Sequence, residues 1–196
     1  MLPSDVLVVV DVQRDFCPGG SMPVPYGNSI IPQVNELARL APTVVASRDF
    51  HPSGHISFSS RHHKPPFTVT NEGIVLWPDH CVQGTNGCKY HPDLVLPEKT
   101  VHVRKGYDVE EDSYSAFGTE KNPSGLLDVL QPDSRLLVCG LAFDICVLNT
   151  ALDAKDRGFE AVVLIDASRP VTVAGGRTAA DKLQEAGVRQ VCFCDL

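Results

Sequence analysis

Residues 5–12, DVLVVVDV, form a nearly continuous apolar run with no alternation of apolar and polar positions. A strand with one wet face alternates, so a run of this kind belongs to a sheet covered on both faces, the typical setting of parallel strands. Further short runs follow: TVVAS (43–47), TVHVR (100–104), SRLLVCG (134–140), EAVVLID (160–166) and RQVCFC (189–194). Helical spacing of apolar residues falls over 28–41, 123–131, 144–157 and 173–187. Asn28 or Ser29 is placed to cap the first helix, and Pro32 falls in its first turn, where proline is tolerated. Parallel strands require crossover connections, usually helical. The pattern therefore predicts an α/β fold, a doubly wound six-stranded parallel sheet with helices on both faces. A length of 196 residues suits one domain spanning 1–196.

The charge balance narrows the partners. Net charge is −7, and the 17 basic residues are scattered without a basic stripe, so nucleic acid is not an expected partner. No apolar run approaches the roughly 20 residues of a membrane span. The N-terminus enters a strand-like run with no basic segment before it and no small-residue cleavage site after it, which does not read as a signal peptide. Seven cysteines, an odd number with no CxxC pair, fit a reduced thiol set. These features lead us to expect a cytoplasmic protein with a small-molecule substrate.

Residues 49–97 break the alternation. The segment is proline-rich, holds six of the seven histidines, and has little periodicity. Its aromatic residues, among them Phe50, Phe58, Phe67, Trp77 and Tyr90, argue against disorder. It is expected to lie over the carboxyl ends of the strands, where open α/β sheets bind ligands.

Three strand ends carry groups suited to nucleophilic chemistry. Cys146 follows the strand 134–140 and falls in the first turn of the helix 144–157, with Asp144 as expected N-cap. Unpaired N–H groups and the helix dipole favour a thiolate there. A free cysteine is equally at home as an inert core residue. Asp11 ends the first apolar run, where a carboxylate must be paired or hydrogen-bonded. Lys105 ends the strand TVHVR. A thiol, a base to take its proton and a cation to hold the charges make a nucleophilic set if the three converge. Asp49 and His51, two apart in extended chain, point to one side. With His80 they make a donor set of one carboxylate and two imidazoles, suited to zinc or another divalent first-row metal. The role of His55 stays open. Cys81, Cys88 and His91 have no usual zinc spacing, and Cys192 and Cys194 read as core.

Five stretches occur in order across nearly the whole chain: VVVDVQRDFCPGGSMPV, SRDFHPSGHISF, WPDHCVQGT, VRKG with SYSAF, and VCGLAFDICVLNTALDA. Together they closely resemble the nicotinamidases of the isochorismatase-like cysteine hydrolase superfamily. The resemblance implies a catalytic triad of Asp11, Lys105 and Cys146, and metal ligands Asp49, His51 and His80. It implies aromatic substrate walls at Phe16 and Trp77 with Tyr114 nearby, and a cis peptide at Leu141–Ala142, both residues bordering the substrate. The backbone N–H groups of Ala142 and Cys146 would form the oxyanion hole. The implied activity is hydrolysis of nicotinamide, and of pyrazinamide, with one divalent metal ion, zinc first and iron or manganese as alternatives. Self-association is left open. Phe50 stands where many relatives carry Trp, and Phe143 where Thr is common. Alternative readings are a carbamoyl or ureido amidohydrolase of the same superfamily, and a hydrolase using the metal alone with Cys146 as core.

Overall fold

The computed structural model describes residues 1–196. Six strands form one all-parallel sheet: β1 (Asp5–Val10), β2 (Thr43–Asp49), β3 (Val101–Lys105), β4 (Arg135–Leu141), β5 (Glu160–Arg169) and β6 (Arg189–Val191). Their order across the sheet is β3-β2-β1-β4-β5-β6, doubly wound as the alternating pattern predicts. The order reverses between β1 and β4, which opens a crevice at their carboxyl ends. Four helices accompany the strands: α1 (Ile31–Leu40), the single-turn α2 (Ser59–His62), α3 (Leu148–Asp156) and α4 (Val173–Glu185). None is long and apolar enough to cross a membrane.

The unbroken apolar character of β1 follows from burial on both sides. Leu7 and Val9 join Val34, Leu37 and Ala38 of α1 in one core layer of 22 buried residues. Val6, Val8 and Val10 join Leu148, Ala151 and Ala154 of α3 and Ala179 and Leu183 of α4 in a second layer of 21, so neither face is left for water. Asp5, the polar start of the run, is buried as well and takes a two-pronged pair from Arg135, at 2.7 and 2.9 Å.

Several boundaries differ from the sequence expectation, each for a local reason. Asn28 and Ser29 do not cap α1. A 3-10 turn, Gly27–Ile30, precedes it and carries the backbone in, with Pro32 at the tolerated start. The expected helix 123–131 is reduced to a 3-10 turn, Leu126–Val129, since Gly125 enters it in the left-handed region. The strand 189–194 stops at Val191 and gives way to a 3-10 turn. Cys192 is thereby half-buried and Cys194 exposed, not core. The helix 144–157 starts instead as a π-helical turn, Phe143–Val147, that runs straight into α3. Asp144 caps nothing there: its carboxylate accepts from the N–H of Val171 at 2.8 Å and of Thr172 at 3.3 Å, tying the chain after β5 to the crevice. Thr172 then caps α4, accepting from Gly175 N at 2.9 Å.

The irregular stretch 49–97 is held by short bridges, Gln13–Tyr90 to the rest of the fold and His51–Val82 and Phe58–Trp77 within the stretch itself. It carries His51, Trp77 and His80 to the crevice.

Candidate active site

The chain leaves β1 at Asp11 with φ of 49°. This left-handed turn is one that aspartate tolerates better than most residues. The Asp11 side chain is fully buried and its Oδ1 accepts from Ser47 Oγ at 2.7 Å. On the neighbouring strands Asp49 and Lys105 are register partners at the ends of β2 and β3. Their ladder position puts the Lys105 ammonium in contact with an Asp49 oxygen. The same Nζ lies 3.0 Å from Asp11 Oδ2, 3.2 Å from Ser113 O and 3.4 Å from Cys146 Sγ. The three strand ends thus converge on one fully buried lysine.

Electrostatics follow from this burial. For Lys105 desolvation favours the neutral amine, but Asp11, Asp49 and Cys146 outweigh it and hold the pKa well above the usual lysine value. For Asp49 burial is again opposed and overcome, here by Lys105 and His51, so it stays ionised far below the usual range. Burial wins at Asp11 and at Cys146, raising both despite Lys105. A carboxylate of raised pKa is a stronger base, which narrows its gap to a thiol. Asp11 Oδ2 makes no hydrogen bond, only the charge contact to Lys105. A carboxylate oxygen of Asp11, one of Asp49 and the Cys146 sulfur all lie within 4.8 Å of one another.

Beside this group, Asp49, His51 and His80 bring their donor atoms within 4.8 Å of one another, all buried. Asp49 Oδ2 is 3.6 Å from His51 Nε2 and 3.8 Å from His80 Nε2. Both imidazoles are oriented by carbonyl oxygens, His51 Nδ1 to Gly106 O at 2.8 Å and His80 Nδ1 to Pro78 O at 2.7 Å. A carbonyl only accepts, so each Nδ1 carries a proton and each Nε2 is left to face Asp49, the orientation found around metal-ligating histidines. Gly106 has φ of 59°, and a Cβ there would collide with the His51 ring. The donor set fits a divalent ion with room for further ligands. His55 is turned away from it. Its Nε2 donates to Glu111 O at 3.1 Å, its Nδ1 meets Ser57 Oγ at 2.8 Å, and burial with His51 nearby pushes its pKa down to about 4. Cys81, Cys88 and His91 do not come together as a donor set.

Both groups open into a narrow hollow lined by Phe16, Trp77, Tyr114, Asp49, His80, Ala142 and Cys146. Trp77 is fixed by a hydrogen bond from Nε1 to Tyr114 Oη at 3.1 Å. The Leu141–Ala142 peptide is cis. The Leu141 side chain does not line the hollow: it is fully buried in the α1-side core, and only Ala142 borders the space. Met22, Val24, Ile145 and Val171 complete the apolar lining, unforeseen from sequence. Met22 and Val24 stand in GGSMPV, next to recognised residues. Ile145 carried a core-face spacing, and nothing local marks Val171.

Residues 5–192 match the isochorismatase domain family. The chain belongs to that family. Among curated relatives of this isochorismatase-family chain, a nicotinamidase of Acinetobacter baylyi is 39% identical, covering 94% of this chain and 91% of the relative. Among solved structures, an Acinetobacter baumanii nicotinamidase and pyrazinamidase superposes with a TM-score of 0.91 at 38% identity, covering 100% of this chain and 99% of that one. A pyrazinamidase of Pyrococcus horikoshii in complex with zinc gives 0.83 at 36% identity, covering 97% and 100%.

Proposed function

We propose that this protein is a metal-containing cysteine amidohydrolase that converts nicotinamide and water to nicotinate and ammonia, and also hydrolyses pyrazinamide. The observation that carries the reading is the contact of Lys105 with Asp11 and Cys146 at the base of an aromatic-walled hollow that also exposes Asp49 and His80.

In this mechanism Asp11 takes the thiol proton, and Lys105 stabilises the thiolate formed 3.4 Å away. Cys146 Sγ attacks the carboxamide carbon. The oxyanion develops toward the backbone N–H groups of Ala142 and Cys146, a kind of donor pair whose members are each worth about 10²–10³ in rate. Asp11 returns its proton to the departing ammonia, leaving a thioester on Cys146. Asp11 then deprotonates a water that attacks the thioester and releases nicotinate. Phe16 and Trp77 hold the ring flat. A divalent ion held by Asp49, His51 and His80, zinc in first place with iron or manganese as alternatives, would supply a Lewis-acid anchor for the ring nitrogen.

The test is ammonia release from nicotinamide by the purified, metal-analysed protein. Turnover that is blocked by a thiol-alkylating agent while the metal is retained supports the covalent route. Release from ureido or carbamoyl compounds but not from nicotinamide overturns the substrate assignment. Turnover indifferent to alkylation overturns the role of Cys146.

A further inference from the structure

We infer that Gln13 is a positioning residue for the metal site: its side-chain amide replaces a missing stretch of β1 and thereby fixes Asp49. β1 ends at Val10 and its pairing with β2 stops at Val9 and Ala46, yet β2 runs on to Asp49. On the other side of β2, Phe50 N donates to Lys105 O, so the N–H and C=O of Asp49 face the side that β1 has vacated. Without a further partner the buried Asp49 N–H would be unpaired and its C=O would keep only the Cys88 thiol, at 3.4 Å.

Gln13 fills the gap. The side chain is fully buried, and its Oε1 accepts from Asp49 N at 2.8 Å while its Nε2 donates to Asp49 O at 2.9 Å. The same Nε2 donates to Cys88 O at 2.9 Å, which ties in the segment that follows His80. A carboxamide is chemically a peptide unit, so this two-bond clasp continues the ladder by one rung. Other residue types do not serve. Glutamate, when ionised, offers no donor to the two carbonyls; asparagine is one methylene short; methionine matches the length with no hydrogen bond. Asp49 stands between Lys105 and the two imidazoles, so a shift of its backbone moves both the ion-pair oxygen and the oxygen that faces His51 and His80.

The inference rests on the reading of Asp49 as a metal ligand. Outer partners of metal ligands typically govern affinity by about 10–100-fold. Zinc affinity of the purified protein is measured by competition with a chromophoric chelator, well below the melting temperature. Gln13→Met is expected to bind zinc at least about tenfold more weakly and, once loaded, to show a raised KM with a smaller change in kcat. Gln13→Asn, which keeps an amide but withdraws it, shows the same loss and serves if the methionine variant does not fold. Leu37→Ala, a core truncation on α1, lowers the melting temperature yet keeps zinc affinity. Wild-type zinc affinity in folded Gln13→Met or Gln13→Asn overturns the inference, as does an equal loss in Leu37→Ala. Failure of the wild-type protein to bind zinc instead overturns the reading of Asp49 on which it stands.

Discussion

Replacement of Lys105 by methionine removes the one cation from a fully buried cluster and keeps the side-chain volume close to the original. The ammonium lies 3.0 Å from Asp11 Oδ2. At an effective dielectric of about 20, that pair is worth about 5 kcal/mol of attraction. Without it, Asp11 and Asp49 oxygens within 4.8 Å of each other repel by about 3.5 kcal/mol or more if both stay ionised. Protonation of Asp11 relieves part of this, so the net loss at neutral pH is about 3–5 kcal/mol, the usual cost of orphaning a buried charge. The sign of its pH dependence follows. Burial already raises the Asp11 carboxyl above its ordinary 3.8, against the pull of Lys105. Removing Lys105 raises it further. A raised carboxyl contributes stability below its unfolded value and loses it as pH rises through the folded one. The deficit of Lys105→Met is therefore larger at pH 8 than at pH 5. Urea unfolding of chelator-treated wild type and variant across that range measures it. A variant within about 1 kcal/mol of wild type at pH 8, or a deficit that grows as pH falls, refutes the placement of Lys105 as the counter-ion of the cluster.

Other perturbations separate the roles of the site. Cys146→Ala is expected to lower kcat by at least about 10⁴-fold and to keep nicotinamide binding in a calorimetric titration; substantial residual hydrolysis would rule out the covalent route. His51→Ala should lower metal affinity by more than about 100-fold and raise KM sharply, so an unchanged KM with metal-free protein would remove the anchoring role. Away from the site, burial opposes ionisation of Asp5, but Arg135 and the Leu2 N–H outweigh it and hold its carboxyl below the ordinary 3.8. The pair thus stabilises the fold above that value and loses its contribution as pH falls through the folded one. Asp5→Asn should cost about 2 kcal/mol at neutral pH, with the difference shrinking in acid-titration denaturation curves as pH falls below the ordinary carboxyl value of 3.8.

The fold was legible because its causes are local and periodic. An unbroken apolar strand at 5–10 can sit only where both faces are covered, and each later strand is separated from the next by enough chain for a crossover. Asp11, Lys105 and Cys146 were legible as candidates because polar groups at the carboxyl ends of buried runs are conspicuous in one dimension. What the sequence could not convey is which groups meet. The sum over Lys105 depends on the register that sets Asp49 beside it and on the reversal of strand order between β1 and β4. Asp144 shows the limit of local rules: beside a helix start it reads as a cap, yet the tertiary fold spends its carboxylate on Val171 and Thr172. Leu141 likewise belongs by sequence to the recognised motif and by packing to the core. Gln13 lies inside the recognised stretch VVVDVQRDF, but nothing there gives it a role, because its partner is the backbone of a strand 36 residues away. Residue type and spacing determined which chemistry was available; long-range register, burial and backbone hydrogen bonding decided which atoms face one another, since those depend on contacts between segments that no local pattern records.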